Sequence, residues 1–243
     1  MTNIVILVGA GKGKRMGNKD KAFLLLNNKP ILVYSLLPFE KSNLLDEIIL
    51  VVRKNRINLA KDIINKYQFK KVKKIVSGGK RRQDSVCKGL CEIKSADVVL
   101  VHDVARPLIS EDLINDLIQN AKKFGAAIPA IPIKDTVKEG DKFVKKTLDR
   151  KSLNIVQTPQ AFKYEILRGA YESAKKSKFH GTDDASLVER LGYQIKMIPG
   201  SHKNIKITIP EDIIIAKNLL KKENQNKIEI KAYTKINLGQ QKN

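Results

Sequence analysis

The sequence predicts one α/β domain with a mostly parallel, twisted sheet flanked by helices. Apolar runs of strand length alternate with helical periodicity along most of the 243 residues, as in parallel strands joined by crossover helices. The first run, Ile4–Val8, is apolar throughout, as expected of a strand covered on both faces, and it leads into a glycine-rich loop. We therefore assign residues 1–222 to a single domain and 223–243 to a C-terminal tail.

The loop at residues 9–17 gives the first chemical indication. Its glycines permit sharp backbone turns, so its amides can surround a phosphate chain, although a tight turn without a ligand is the alternative. Cations in and after the loop supply the charge that a triphosphate requires: Lys12, Lys14, Arg15 and Lys21.

Two other phosphate motifs do not fit this loop. A Walker A loop is excluded, because Arg15-Met16-Gly17 stands where Gly-Lys-Ser or Gly-Lys-Thr is required. A dinucleotide fingerprint is disfavoured, because the strand at 48–52 ends in Arg53 rather than in an acid. The charge of the turn favours a nucleoside triphosphate.

Composition narrows the functional class. The net charge of +22 suggests binding to polyanions, but the lysines are scattered rather than gathered in one stripe, which disfavours a nucleic-acid-binding protein. No apolar run has the length of a membrane span and no signal peptide precedes the first strand, so we expect a cytoplasmic protein without a membrane segment. Cys87 and Cys91 lie four apart, as free thiols on one helix face would.

The remaining periodicity predicts the order of the elements. Strands are expected at 48–52, 72–76, 97–101, 126–131, 193–198 and 204–208. Helices are expected from Pro30, near 56–67 with Leu59 on the packed face, around 86–93, and at about 111–123, 163–177 and 210–222.

Three places in this order carry candidate chemistry. The turn at 77–85 is either a second wall of a nucleotide pocket or a simple strand-to-helix turn. Asp103 follows a strand at the edge where α/β sheets bind ligands, so metal or substrate contact is preferred over a helix cap, which Ser110 can supply. Lys206 alternates with two isoleucines and is either a phosphate ligand or an exposed strand residue.

Two further segments have structural interpretations. Residues 133–138 and 143–148 alternate around Glu139-Gly140-Asp141, which predicts a polar hairpin within an arm at about 133–158. Two strands alone are marginal in water, so we expect the arm to protrude and to pair subunits of a homodimer. Thr182 or Asp183 is expected to cap a helix, and capping accounts for the acid pair there.

With these residues in hand, the chain resembles the 2-C-methyl-D-erythritol 4-phosphate cytidylyltransferases of the non-mevalonate isoprenoid pathway. The resemblance runs from about residue 3 to 222. Its motifs, specific in their combined order and spacing, are Gly-Ala-Gly-Lys-Gly-Lys-Arg-Met at 9–16, Gly-Gly-Lys-Arg-Arg-Gln-Asp-Ser-Val at 78–86, His-Asp-Val-Ala-Arg-Pro at 102–107, Thr-Leu-Asp-Arg at 147–150, Gln-Thr-Pro-Gln-Ala-Phe at 157–162, Thr-Asp-Asp-Ala-Ser at 182–186 and Asn-Ile-Lys-Ile-Thr at 204–208.

The resemblance implies a Rossmann-like nucleotidyltransferase that joins CTP to methylerythritol phosphate with Mg²⁺. The catalytic residues that it implies are Arg15, Lys21 and Lys206. Those implied for CTP are Ala10, Gly11, Gly13, Gly79 and Ser85. Those implied for methylerythritol phosphate are Asp103, which would also hold the metal, and Thr136, Arg150 and Thr158, with Arg150 reaching into the neighbouring subunit of a homodimer.

The chain also departs from the family pattern. Asp20-Lys21-Ala22 replaces a usual Pro-Lys-Gln, which leaves Lys19 as an alternative to Lys21, and Lys80 stands where an acid is frequent. Ribitol-5-phosphate cytidylyltransferases share several of the motifs and are the alternative activity. The tail at 227–239 resembles the opening strand of the downstream kinase of the pathway, or is a chance β-prone segment.

Overall fold

The computed structural model describes residues 2–11, 13–17 and 20–221. Its strands are β1 (Asn3–Val8), β2 (Leu25–Leu26), β3 (Lys29–Pro30), β4 (Glu47–Val52), β5 (Val72–Ser77), β6 (Val98–Asp103), β7 (Ala126–Pro132), β8 (Lys138–Gly140), β9 (Val144–Thr147), β10 (Asn154–Val156), β11 (Gln160–Lys163) and β12 (Lys196–Pro199). Its α-helices are α1 (Ile31–Lys41), α2 (Ile57–Lys66), α3 (Arg82–Leu90), α4 (Glu111–Phe124), α5 (Tyr164–Lys176), α6 (Asp184–Glu189) and α7 at 210–221.

One mixed sheet organises the domain. Strands β6, β1, β4 and β5 lie side by side and parallel, with β1 between β4 and β6. Beyond β6, the antiparallel β11 joins it to β7, and β7 also pairs with β10 and with the parallel β12. The mostly parallel α/β fold predicted from the sequence is confirmed, and the parallel strands end together at one edge.

Helices cover both faces of the sheet because its central strands are apolar on both. On one face, Leu7 and Leu50 pack in a cluster with residues of α1 and α4. On the other face, Ile6 and Val101 pack with residues of α3 and α5. Truncating a side chain such as Leu50, which is fully buried, to alanine would cost about 2 to 5 kcal/mol of stability. This core fixes the strand ends that carry the site.

Several expected elements differ in the structure. The hairpin strands are only β8 and β9, because residues 133–137 do not pair in a ladder, and the turn lies at 141–143. Residues 204–208 form no strand. The strands β10 and β11 were missed, since each is three or four residues long with little apolar alternation. Leu59 is 39 % exposed, and Ala60 occupies the buried face of α2 instead.

Within the described residues, no helix combines the length and the apolar character that crossing a bilayer would require. The cysteines Cys87 and Cys91 are free thiols on α3 and at its C-terminal end. The predicted tail at 223–243 lies outside the described residues.

Candidate active site

The carboxyl ends of the parallel strands surround a pocket of about 320 Å³. The loop after β1, the turn after β5 and the last residue of β6 form its walls, as expected for a ligand site in an open α/β sheet. Among the described residues that line it, seven are cations and one is an acid, Asp103. The cations are Lys21, Arg53, Lys54, Lys80, Arg81, Arg82 and Lys206. Such a lining favours a ligand with several negative charges.

The two glycine turns meet at the base of the pocket. A Cβ on Gly78 would lie 2.2 Å from the Cβ of Ala10, and one on Gly79 would lie 2.4 Å from the Cβ of Asp84. Only glycine at 78 and 79 allows this approach. Gly13 and Gly17 adopt positive φ angles of 62° and 67°, which turn the first loop back at both ends of a short 3₁₀ helix. The second turn is thus a wall of the pocket as well as a strand-to-helix connection.

Asp103 is the centre of the charged groups. Its Oδ1 accepts a hydrogen bond from Arg82 Nε at 2.8 Å, and its Oδ2 pairs with Lys206 Nζ at 2.5 Å. Burial raises the pKa of this carboxyl, but Arg82 and Lys206 more than offset that effect and hold the pKa well below its usual range. Asp103 is therefore a carboxylate at neutral pH, in contact with two cations.

Lys21 lies beside the same cluster. Its Nζ donates to the carbonyl of Ile207 at 3.1 Å. Burial, together with the neighbouring charges of Lys206 and Arg15, lowers the pKa of Lys21. The charges of Lys206 and Arg15 thus act on Lys21, while Arg15 itself is exposed and does not line the pocket. Lys19 lies outside the described residues.

The segment that carries Lys206 is fixed from both sides. Ile207 is fully buried and its amide donates to Ala105 O at 2.8 Å. Asn204 donates to Thr158 O at 2.9 Å and accepts from Arg106 Nη1 at 2.7 Å through its carbonyl. These bonds place Lys206 at the pocket without a sheet ladder, and they favour its interpretation as a ligand-facing residue over an exposed strand residue.

Thr158 lies beneath Asp103. Its hydroxyl oxygen accepts from the amide of Asp103 at 3.2 Å and lies 3.0 Å from Nδ1 of His102. His102 is fully buried against the Phe39 ring, and burial lowers its pKa to about 4, so it is neutral. Thr158 is only 6 % exposed, and its hydroxyl supports the backbone of Asp103.

Ser85 and Ser110 have structural roles in hydrogen bonding. The hydroxyl of Ser85 accepts from Gly79 N and donates to Arg81 O, both at 3.0 Å, so it fixes the second glycine turn while lining the pocket. Ser110 caps α4 by accepting from Leu113 N at 3.3 Å. The cap that could have explained Asp103 is therefore supplied by Ser110, as the sequence indicated.

Sequence reasoning missed the role of Arg82 and Asp184. Arg82 bridges two acids: its Nε bonds to Asp103, and its Nη2 forms an ion pair with Asp184 Oδ2 at 2.8 Å. Asp183 does cap α6, accepting from Ser186 N at 2.9 Å, but Asp184 is completely buried and is not a cap. Asp183 is therefore the cap that the sequence predicts, and Asp184 lies in the first turn, where its buried contacts go beyond the capping that the sequence suggested. The available signal was the arginine pair beside the second glycine turn.

The arm residues lie apart from this pocket. Thr136 and Arg150 are exposed, and neither lines the pocket within the chain. Arg150 Nη1 donates to the carbonyl of Lys134 at 2.7 Å, at the base of the β8–β9 hairpin. The single chain therefore brings together Ala10, Gly11, Lys21, Gly79, Ser85, Asp103 and Lys206, and leaves Thr136 and Arg150 outside.

The described residues contain no group of three or more His, Cys, Asp or Glu side chains placed to hold a metal. Asp103 supplies one carboxylate at the pocket, and Mg²⁺ is commonly held by one or two carboxylates together with substrate phosphates and water. The donor set fits an ion that is bound jointly with a nucleotide and does not fit a closed protein cage.

The glycine turns lie on the carboxyl edge of a parallel sheet, around a pocket in which cations outnumber the acid. These features define this chain as a nucleotidyltransferase of the α/β class. The comparisons with known proteins identify the family. The model described as 2-C-methyl-D-erythritol 4-phosphate cytidylyltransferase matches residues 3–222, and the chain belongs to that family.

Similar proteins cover almost the whole chain. A 2-C-methyl-D-erythritol 4-phosphate cytidylyltransferase of Clostridium acetobutylicum is 45 % identical over 224 residues, covering 90 % of this chain and 98 % of its own. The crystal structure of 4-diphosphocytidyl-2C-methyl-D-erythritol synthase from Anaerococcus prevotii superposes with a TM-score of 0.81 at 34 % identity, covering 90 % of this chain and 96 % of that one. The Thermus thermophilus cytidylyltransferase gives a TM-score of 0.75 at 31 % identity, with 90 % and 98 % covered.

Proposed function

We propose that this chain transfers CMP from CTP to 2-C-methyl-D-erythritol 4-phosphate, releasing pyrophosphate. The observation that carries the proposal is the pairing of Lys206 with Asp103 beside Lys21, in a pocket formed by two glycine turns, in a chain matched to this family over residues 3–222. Relatives named for the methylerythritol substrate do not favour the ribitol phosphate alternative.

The reaction needs no protein nucleophile. A phosphate oxygen of methylerythritol phosphate attacks the α-phosphorus of CTP in line, a new P–O bond forms, and the bond to the β-phosphate breaks as pyrophosphate leaves. The step brings the negatively charged oxygens of both substrates together around the reacting phosphorus. Arg15, Lys21 and Lys206 offset this charge. Electrostatic stabilisation of this kind is usually the largest single contribution to the rate of such a step.

The glycine turns account for nucleotide binding. In the proposal, backbone amides of Ala10, Gly11 and Gly13 bind the triphosphate, and Gly79 and Ser85 contact cytosine. The close approach of Gly78 to Ala10 supports this assignment, because it brings the phosphate turn and the base turn to one pocket. Lys80 lines the pocket where the family frequently has an acid, so base preference is part of the test.

Asp103 would hold Mg²⁺ together with the triphosphate oxygens, and the ion would supply neutralisation of phosphate charge. The fit rests on a carboxylate that the low pKa keeps ionised at neutral pH. Asp103, Thr136, Arg150 and Thr158 complete the proposed binding of methylerythritol phosphate. In this assignment Thr158 acts through the backbone of Asp103, with which it shares a hydrogen bond.

The proposal includes a homodimer and a cytoplasmic location. The arm exposes large apolar side chains, with Phe143 88 % and Val144 65 % exposed, and these are costly to leave in water on a two-stranded hairpin. A second copy of the arm is the partner that we propose. The free thiols of Cys87 and Cys91 support a reducing compartment. Sedimentation of the purified chain tests the dimer.

Pyrophosphate release by the purified chain tests the activity. CTP is supplied with methylerythritol phosphate, with ribitol 5-phosphate or with no acceptor, each with and without Mg²⁺, and UTP and ATP replace CTP in parallel. We expect Mg²⁺-dependent release with CTP and methylerythritol phosphate, and at most about a few per cent of that rate with the other pairs, because each competing substrate leaves polar groups of the site unpaired. Comparable rates with ribitol 5-phosphate would contradict the substrate assignment.

A further inference from the structure

Asp184 is a charged side chain with no exposed surface, and the roles assigned so far do not include it. It lies at the first position of α6, after the cap residue Asp183, and does not line the pocket. A buried carboxylate is expensive unless partners compensate it. Its partners therefore indicate what it does.

Two partners hold Asp184. The hydroxyl of Tyr171, on α5, donates to its Oδ1 at 2.6 Å. The guanidinium of Arg82, at the start of α3, lies with Nη2 at 2.8 Å from its Oδ2. Both oxygens of the carboxylate thus face groups on different helices, and the carboxylate is a fixed anchor point in the core.

Arg82 connects this anchor to the pocket. Its Nε donates to Asp103 Oδ1 at 2.8 Å, while Lys206 pairs with the other oxygen of Asp103. A guanidinium is planar, so a hydrogen bond from Nε to one acid and an ion pair of Nη2 with the other together restrict its orientation. The result is a continuous series of contacts: Tyr171, Asp184, Arg82, Asp103, Lys206.

We propose that Asp184 is a positioning residue for the cytidylyl transfer: it holds Arg82, and Arg82 in turn holds Asp103 in the orientation that faces Lys206. This inference rests on the proposed function. Without the carboxylate, Arg82 is free to turn toward Asp103 with both nitrogens, or toward the phosphates of a bound nucleotide. Either movement displaces Asp103 from its place beside Lys206.

Asp184→Asn is the direct test, because it keeps the shape and removes the charge. We expect kcat to fall by about 10-fold or more, since the reacting groups are misplaced, while KM for CTP changes less than about twofold. Asp183→Asn is the matched control. It removes the charge of the neighbouring acid, which caps α6 and does not pair with Arg82. Asparagine caps a helix about as well as aspartate, so both kcat and the unfolding temperature should stay near wild type.

A double-mutant cycle with Arg82→Gln separates positioning from general destabilisation. If Asp184 acts through Arg82, then Asp184→Asn should have less than about a twofold further effect on kcat in the Arg82→Gln background. Equal effects in both backgrounds, or a wild-type kcat in folded Asp184→Asn, would overturn the proposal. If Asp184→Asn does not fold, Arg82→Lys replaces it, because lysine keeps the charge but cannot hold two acids in a plane. Unchanged kcat in that variant would overturn the proposal equally.

A failure of the proposed function would be seen separately, as absence of turnover in the wild type with any acceptor. The inference is then decided by crystal structures of the wild type and Asp184→Asn. The proposal requires the contact between Lys206 Nζ and Asp103 Oδ2, 2.5 Å in the wild type, to be lost in the variant. Its retention at hydrogen-bond distance would contradict the positioning role.

Discussion

The pocket and the arm both carry basic and polar side chains, but those of the pocket are fixed by partners and those of the arm are exposed to solvent. In the pocket, Asp103 is fixed by Arg82 and Lys206, and Lys21 is fixed by a backbone carbonyl. On the arm, Arg150 and Thr136 are exposed to solvent beside a short hairpin. Under the proposed function, the pocket groups are preorganised within one chain, whereas Thr136 and Arg150 would need a second surface to take part in the site. Each of the following experiments perturbs one side of this contrast or a region outside it.

The largest effect is expected from the pocket cations. Lys21→Ala and Lys206→Ala should each lower turnover by at least two orders of magnitude, about 3 kcal/mol, because each removes a charge that offsets transition-state charge. Steady-state pyrophosphate release measures this effect. Lys122→Ala on the surface of α4 is the control for a lost positive charge and should behave like the wild type. Near-normal turnover by folded Lys206→Ala would show that Lys206 is an ordinary exposed residue and does not take part in catalysis.

Arg150 tests the arm side of the contrast. Arg150→Ala and Lys21→Ala, each nearly inactive alone, are refolded together and assayed. If Arg150 acts in the neighbouring subunit, half of the randomly formed dimers carry one intact site, and about a quarter of wild-type activity returns.

The same mixture distinguishes the alternative. If Arg150 acts within its own chain, every site keeps one lesion and the mixture stays inactive. Refolding each variant with itself controls for recovery during refolding, and an exposed arm lysine variant, Lys151→Ala, controls for loss of charge near Arg150. An inactive mixture of dimers would show that Arg150 acts in the site of its own chain.

The support beneath the pocket should show in the pH dependence of stability. His102 has a pKa of 6.5 when unfolded and about 4 in the fold, because burial disfavours its charge. The unfolded chain therefore binds the proton first, and the stability that neutral His102 provides above pH 6.5 is lost as pH falls toward 4, by about 3 kcal/mol.

Urea unfolding at several pH values measures this loss. His102→Gln should have a shallower dependence on pH than the wild type between 6.5 and 4, since it lacks the titrating ring. If the variant is unfolded, the imidazole resonances of the wild type give the pKa directly. A native pKa near 6.5 would contradict the burial argument.

The smallest effect is expected outside both regions. Deleting residues 225–243 should leave cytidylyl transfer within about twofold of wild type, because the tail lies beyond the matched family region. Turnover of the shortened chain measures it, with kinase activity of the full chain assayed in parallel. A marked loss of transfer would show that the tail has been recruited to the enzyme.

The sequence predicted those parts of the fold that depend on local pattern. The central strands are continuous apolar runs, and Asp103 and the glycine turns follow them directly, so their meeting at one edge follows from parallel topology. The motifs of the family added the cations Arg15, Lys21 and Lys206. These are features that a few adjacent residues encode.

The rest depends on contacts between distant segments. The pattern at 204–208 predicts a strand. In the structure, Asn204 instead forms hydrogen bonds with Arg106, Gln157 and Thr158, and the segment joins no sheet ladder. The sequence suggests only a capping environment for Asp184, because the partners that reveal its other contacts, Arg82 and Tyr171, lie 102 and 13 residues earlier in the chain. Such pairings have no local periodicity, so only the tertiary structure identifies them.

The contact between Gly78 and Ala10 restricts the order in which residues of this pocket can be substituted. A methyl group at Gly78 would lie 2.2 Å from that of Ala10 and 3.0 Å from the Ser85 hydroxyl, so an alanine there is blocked while both neighbours remain. Ala10→Gly would have to come first, at the cost of a more flexible phosphate loop. An evolutionary path or a redesign that begins with a substitution of Gly78 is therefore closed, and one that begins at Ala10 is open.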